Sequence, residues 1–218
     1  MDKLLGSSVD NKNVELAKIL FSLRHDLDIH CLIGVNAAKI KTNNPGRFFL
    51  GHVAMRVLES IVLAICKIYE EEKRHELNSI QGVLNSLADK APTLQVHDKE
   101  AREFIAQYGG LSKATNILNA LQMTFDGIRT KYSSDLQRFK KARDKIVAHS
   151  EFGVVKDSLP TFDTMEKLFS FGAEFYMIVS DSFVGCGSDN LKNRREIKRD
   201  FEKVLRLIGL QNIKTEME

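Results

Sequence analysis

The sequence has 218 residues, of which 43% are hydrophobic and 28% are charged. This composition excludes a disordered chain and fits one packed domain, alone or with a small appendage. The 32 basic and 29 acidic residues give a formal net charge of +3, so overall charge neither indicates nor excludes nucleic acid, and any basic site has to be local.

Long segments with helical spacing of apolar residues dominate the chain, and its 13 glycines and 3 prolines are few. This pattern predicts an all-α fold. The cysteines Cys31, Cys66 and Cys186 are far apart and form no Cys-x-x-Cys pattern. They indicate reduced thiols and a cytoplasmic protein, not a disulfide or zinc framework.

No segment has the pattern of a membrane anchor or a signal peptide. The N-terminus lacks an apolar run of sufficient length, and the most apolar segment, 53–69, is interrupted by Arg56 and Glu59. We therefore expect no membrane association.

The domain boundaries follow from the polarity of the chain ends. We expect residues 1–13 to form a flexible N-terminal arm, residues 14–210 a single helical domain, and residues 211–218 a C-terminal tail. Within the domain, residues 77–110 have the pattern of two short helices that form an excursion from the main bundle.

The first long helix carries Arg24, His25, Asp26 and His30, of which the last three are possible metal ligands. Two histidines five residues apart do not share a helix face as an i, i+4 pair does. We prefer a solvated face on which Asp26 pairs with His30, and we predict no metal site.

The second long helix follows a turn at residues 42–46 and extends to about Arg74. Its apolar residues cover more than one stripe, which predicts a central helix contacted from at least two sides. Arg56 and Glu59 on this helix are candidate partners for the motif described next, and an ordinary internal ion pair between polar groups is an equally good interpretation. The acidic run 70–72 is expected to be a solvated helix end.

Residues 135–153 read DLQRFKKARDKIVAHSEFG and predict a helix capped by Ser133 or Ser134 and ended by Gly153. Arg143 lies on the apolar stripe of this helix, four residues after Phe139. Burying an unpaired guanidinium is very costly, so Arg143 needs a carboxylate partner, a subunit interface or a cleft for an anionic ligand.

The segment from Arg143 to His149, RDKIVAH, resembles the motif of an Arg, four to six residues and a His that marks the HEPN superfamily. The longer phrase RDKIVAHSE resembles the branch found in abortive-infection systems of the U type. The resemblance implies an antiparallel helical bundle with extra short helices, and a homodimer whose Arg and His residues line one cleft. It also implies an RNA substrate that is cut without a metal or cofactor, with Arg143 binding the phosphate and His149 acting as acid or base.

Other residues of the motif helix suit the same chemistry. Asp144 can orient His149 or the Arg143 of the other subunit, and Lys140, Lys141 and Lys145 can attract the RNA phosphates. On an ideal helix Arg143 and His149 lie about 120° apart, so two subunits or a frayed helix end must bring them together. The alternative is that these cations only complement the helix dipole.

Two elements follow the motif. Thr161 or Asp163 can cap a helix to about Phe183, whose many aromatic residues indicate a core or, alternatively, a dimer surface. The last helix, 191–207, carries a second basic group that is either a solvated face or a contact for a nucleic acid backbone. This group contains Lys192, Arg194, Arg195, Lys198 and Arg199.

Two functional classes are compatible with these patterns. The first is a HEPN-type endoribonuclease of a phage-defence (abortive-infection) or toxin–antitoxin system, restrained by an antitoxin or regulatory protein partner. The second is a non-catalytic helical module that binds nucleotide, RNA or a protein. An unrelated helical enzyme is a distant third option, because the sequence has no P-loop, no Gly-rich dinucleotide turn and no Cys/His metal spacing.

Overall fold

The computed structural model describes residues 6–41, 46–70, 78–88, 103, 106, 117–149, 159–181, 191 and 196–210, and for residues 6–10, 117 and 147–149 it describes the backbone alone. These parts contain α-helices and no β-strand, which confirms the predicted all-α fold. The helices are α1 (Gly6–Val35), α2 (Ala37–Lys41), α3 (Arg47–Tyr69), α4 (Ile80–Ala88), α5 (Ile117–Lys131), α6 (Ser133–His149), α7 (Phe162–Val179) and α8 (Glu196–Leu207).

Helix α3 is central, as its apolar pattern predicted. It packs against α1, α6 and α7, and its buried residues Leu58, Ile61 and Ile65 belong to the main apolar core. It is also long and apolar enough to cross a membrane, with a mean hydropathy of 1.8. Core helices of this length pass the same test, and the residues of α3 that face the bundle are buried inside the protein.

Helix α7 closes the core from the other side. Thr161 caps its N-terminus, because the Thr161 hydroxyl accepts a hydrogen bond of 3.3 Å from the backbone N–H of Thr164. Phe169, Phe171 and Phe175 are buried in the core. The aromatic residues of this helix therefore build the interior of the subunit, which is the first of the two interpretations drawn from the sequence.

Helices α5 and α6 meet at a single residue, Tyr132. Its N–H donates to the carbonyl of Ile128 at 3.0 Å, and its own carbonyl accepts from the N–H of Leu136 at 2.8 Å. Helical bonding therefore reaches Tyr132 from both sides. The motif helix begins at Ser133, so the predicted caps Ser133 and Ser134 lie inside its first turn rather than before it. Helix α6 is described up to His149, and the predicted stop at Gly153 lies outside the described residues.

A second, smaller apolar cluster lies where α1, α2, α3 and α8 meet. Leu205 of α8 and Leu210 are buried there against Leu32 of α1, Ile40 of α2 and Leu50 of α3. Helix α8 is thus part of the folded domain, although its surface positions are charged.

The chain differs from the predicted domain limits at its start. Helix α1 begins at Gly6, and Lys12 and Asn13 are buried, so part of the segment 1–13 that was predicted as a flexible arm is helical. The Asn13 side chain donates to the Ser180 hydroxyl at 2.8 Å, which ties this end of α1 to the end of α7. Of the predicted excursion, α4 is observed, while 89–102, 107–110 and the tail 211–218 lie outside the described residues.

Candidate functional site

Arg143 lies at the edge of the core on helix α6. Phe139 and Ala142, on the same side of the helix, are buried, whereas 27% of the Arg143 side chain is exposed. The sequence predicted a cation facing the core. The structure places it at the rim, where its side chain is only partly buried.

Two carboxylates bind the Arg143 guanidinium. Its Nη1 donates to Glu70 Oε1 at 3.1 Å, which links α6 to the end of α3. Its Nε and Nη2 donate to a single oxygen of Asp144, at 3.0 and 2.9 Å. The sequence left three possibilities open for Arg143: a carboxylate partner, a subunit interface or a cleft for an anionic ligand. The structure of the single chain shows carboxylate partners.

Glu70 is held in position by the residue before it. Helix α3 ends at Tyr69, and Glu70 continues in extended conformation, with φ −70° and ψ 141°. The Tyr69 hydroxyl donates to the backbone carbonyl of Leu168 on α7 at 2.7 Å, and its ring stacks on Phe125 with centroids 6.1 Å apart. An anion at a helix C-terminus is unfavourable, so the nearby guanidinium also offsets the interaction of Glu70 with the α3 dipole.

Glu70 is the site residue that was not predicted from the sequence. Glu59 was the candidate carboxylate named from the sequence, but it binds Arg56 one turn away at 2.6 Å, which is the ordinary ion pair that was the equally good interpretation. Glu70 was interpreted as part of a solvated helix end. The sequence signal that could have indicated Glu70 was the acidic run 70–72 at the end of the central helix. Such a run offers carboxylates to any basic helix that packs against this end.

The local electrostatics follow from this pairing. Partial burial lowers the pKa of Arg143, but its hydrogen bond to Asp144 and the neighbouring negative charges more than offset this, so the pKa is raised above its ordinary value. Burial raises the pKa of the nearby Cys66 thiol to about 11. Arg143 is therefore a permanent cation, and Cys66 is a neutral thiol at physiological pH.

The remaining motif residues lie on the exposed side of α6. Lys140, Lys141 and Lys145 are exposed. Asp144 binds Arg143 of the same chain. The backbone of His149 ends the helix, while its side chain lies outside the described atoms. The structure therefore brings together Arg143, Asp144 and Glu70, with the three lysines on the same helix.

A cavity of about 170 Å³ opens beside this group, between α3, α5 and α6. Cys66 and Tyr69 line it from α3, and Arg129 lines it from α5. The α6 side contributes both apolar and polar groups, which are Ser133, Leu136, Gln137, Phe139 and Lys140.

The polar residues of α1 do not form the solvated face that was predicted. Arg24 is 3% exposed and donates to Asp28 at 2.7 Å and to Glu166 on α7 at 2.7 and 2.8 Å. Arg24 can be buried, contrary to the prediction, because its guanidinium is paired with two carboxylates that compensate its charge. Asp26, for which His30 was the predicted partner, accepts a hydrogen bond from the Ser60 hydroxyl at 2.5 Å.

No group of three or more His, Cys, Asp or Glu residues in the described parts could hold a metal ion. His25 instead packs edge-on against Phe21, with centroids 4.1 Å apart. The ring centroids of His30 and Phe162 are 6.0 Å apart. In the second basic group, Lys198 and Arg199 are on α8, while the other three residues lie outside the described parts.

Comparison with known protein families identifies the family of this chain. Residues 8–189 match the family model HEPN_AbiU2, described as AbiU2. The match includes α1 to α7, both partners of the Arg143–Glu70 pair and the whole motif, and it ends before α8. No curated protein and no solved structure gives a significant match.

Proposed function

Because this chain belongs to the AbiU2 family of HEPN domains, we propose that it is an endoribonuclease of a phage-defence (abortive-infection) or toxin–antitoxin system. In this proposal the protein works in the cytoplasm as a homodimer and cuts RNA without a metal or cofactor. An antitoxin or another regulatory protein restrains it.

The position of Arg143 is the observation that carries the proposal. A permanent cation with a 27% exposed side chain lies on a helix with three exposed lysines, and its present partners are carboxylates. A phosphate oxygen accepts hydrogen bonds from a guanidinium in the same geometry as a carboxylate oxygen does. Arg143 is therefore suited to bind the phosphate at which the RNA is cut, with Lys140, Lys141 and Lys145 attracting the neighbouring phosphates.

His149 supplies the proton transfer in this mechanism. The imidazole of one subunit accepts the proton of the ribose 2′-hydroxyl while the 2′-oxygen attacks phosphorus. The imidazolium of the second subunit donates a proton to the departing 5′-oxygen. The products are a 2′,3′-cyclic phosphate and a 5′-hydroxyl. Arg143 stabilises the charge that develops on the phosphoryl oxygens.

A homodimer is part of the proposal for a geometric reason. Residues six apart on one α-helix project about 120° away from each other. Arg143 and His149 of one subunit therefore do not aim at one phosphorus atom, whereas two copies of α6 facing each other can present Arg143 of one and His149 of the other.

The second candidate function is a non-catalytic module that uses the same cleft to bind nucleotide, RNA or a protein. The specific observation in its favour is the occupancy of Arg143, whose Nε, Nη1 and Nη2 all donate to carboxylates. An enzyme has to release these donors before it can bind a phosphate, whereas a module that only packs against a partner does not.

RNA cleavage by the purified chain, with a chelator present and the oligomeric state recorded in the same samples, tests the proposal. We expect cleavage products with 2′,3′-cyclic phosphate ends from the wild type. We expect none from His149→Ala or Arg143→Ala, with each variant still a folded dimer. Equal activity of His149→Ala and wild type would contradict the mechanism, and a stable dimer with no activity on any RNA would favour the binding module.

A further inference from the structure

The cavity between α3, α5 and α6 combines chemical groups that suit a nucleotide. Ser133, Gln137 and Lys140 follow one another at i, i+4 and i+7, so they lie on one face of α6 and border the same space. The hydroxyl and the amide can each donate and accept hydrogen bonds, which is what the edge of a base requires. Leu136 and the Tyr69 ring provide an apolar wall.

Positive charge lies at the same cavity. Arg129 and the exposed Lys140 both line it, and the Arg129 guanidinium lies over the Phe125 ring, 5.5 Å from its centroid. The N-terminus of α6 begins at Ser133, so the positive end of the helix dipole also points to this region. Arg129 also pairs with Asp126 at 4.0 Å.

The cavity lies near the Arg143 site, although Arg143 itself does not line it. Lys140 precedes Arg143 by three residues and lies one helical turn away on α6. Cys66, which lines the cavity, is close enough to Arg143, Glu70 and Asp144 for their charges to act on its thiol. A polymer bound at Arg143 through one phosphate therefore has its next unit beside this opening.

We propose that the cavity is a subsite for one nucleotide of the RNA, adjoining the phosphate bound by Arg143. The base enters the cavity against Leu136 and Tyr69, and its edge bonds to Ser133 and Gln137. Its phosphate stays at the mouth, near Lys140 and Arg129. A volume of about 170 Å³ is below the range of about 300 to 1,000 Å³ typical of complete small-molecule sites, so it suits a base rather than a whole ligand.

This inference rests on the proposed function, because it takes Arg143 to be the phosphate-binding residue. The experiment uses the full chain with His149→Ala as background, so that the probe is not cut. The probes are a short fluorescein-labelled single-stranded RNA of mixed sequence, followed by anisotropy, and adenosine 5′-monophosphate as a competitor. The substitutions compared are Gln137→Ala, Lys140→Gln, Arg143→Ala and, as a matched loss of one exposed lysine on α1, Lys18→Gln.

We expect Gln137→Ala to weaken RNA binding about fivefold, as the loss of one or two hydrogen bonds does. We expect Lys140→Gln to weaken it about tenfold at low salt and to lower the salt dependence by about one counterion. Lys18→Gln should have little effect. Adenosine monophosphate should compete with the RNA for the unsubstituted background protein and much less well for Gln137→Ala.

The outcomes separate the subsite from the proposed function. If Gln137→Ala and Lys140→Gln bind like Lys18→Gln while Arg143→Ala loses RNA, the subsite is wrong and the role of Arg143 stands. If both cavity variants lose nucleotide while Arg143→Ala binds normally, the cavity is a nucleotide site and the proposed role of Arg143 is wrong. If the unsubstituted background binds neither probe, both are overturned. Thermal unfolding of each variant verifies that it remains folded.

Discussion

The guanidinium of Arg143 donates from Nη1 to the carboxylate of Glu70 across 3.1 Å, between residues 73 positions apart in the sequence. The contact joins the motif helix α6 to the end of the central helix α3. A carboxylate and a phosphate compete for the same donors of an arginine. Glu70 therefore occupies part of the surface through which Arg143 would bind RNA, and a substrate has to displace it.

Replacing Glu70 with glutamine should increase RNA affinity. The substitution keeps the size of the side chain and removes the charge that holds Arg143, so in the His149→Ala background the Kd for single-stranded RNA should fall about threefold to tenfold. Fluorescence anisotropy at fixed salt measures it. Glu59→Gln is the matched control, because it removes one negative charge from the same helix, where Glu59 binds Arg56. The same gain in both variants would mean that only net charge matters.

Two arginines with two carboxylate partners each should differ greatly in their effect on stability. The Arg24 side chain is 3% exposed, and Arg24→Met removes the cation beside the buried Asp28, so we expect a loss of about 3 to 5 kcal/mol in the free energy of unfolding. The Arg143 side chain is 27% exposed, and we expect Arg143→Met to cost at most about 1 kcal/mol. Urea unfolding followed by circular dichroism compares them. A large loss from Arg143→Met would assign it a structural role.

Asp26→Asn should stabilise the protein at neutral pH. Burial raises the pKa of Asp26, although the Ser60 hydrogen bond and His25 oppose the effect. An acid with a raised pKa in the folded state contributes stability below its unfolded pKa, and this contribution is lost as the pH rises through the folded pKa. The Tm of Asp26→Asn should therefore exceed that of wild type by a few degrees at pH 7, and the difference should disappear near pH 3. A lower Tm for the variant at pH 7 contradicts the argument.

Cys66 should make the protein less stable at alkaline pH. Its pKa is raised from 9.0 to about 11 by burial, so the unfolded chain loses the thiol proton first as the pH rises. The contribution of this group is complete below pH 9 and declines up to pH 11, by about 2 to 3 kcal/mol. Cys66→Ala should lack this part of the decline when urea unfolding is measured at pH 8 and pH 10.5. Parallel curves for the two proteins would show that the thiol ionises as readily when folded as when unfolded.

Local patterns in the sequence were sufficient for most of the fold. The breadth of the apolar surface on residues 47–69 predicted a central helix, and the Thr161 cap was predicted because an N-cap needs only a short polar side chain at the correct position. Capping and periodicity act over a few residues, so a single sequence contains the information for them.

Pairing over long distances could not be predicted in the same way. Arg24 was assigned to a solvated face, and its burial depends on Glu166, which is 142 residues away. For Arg143, the sequence offered Glu59 as a candidate partner, whereas the observed partner from the central helix is Glu70, at the end of that helix. Each arginine had more than one carboxylate as a possible partner. Which of these carboxylates binds it depends on how whole helices pack together.

The packing of α8 has a consequence for how this protein is compared with its relatives. The family match ends at residue 189, yet Leu205 and Leu210 beyond it cover Leu32 and Leu50 in the second apolar cluster. A chain shortened to end at residue 189 would lack Leu205 and Leu210, and Leu32 and Leu50 would then be exposed to water. The segment that matches the family is therefore shorter than the segment that folds, because residues beyond the match complete the second apolar cluster.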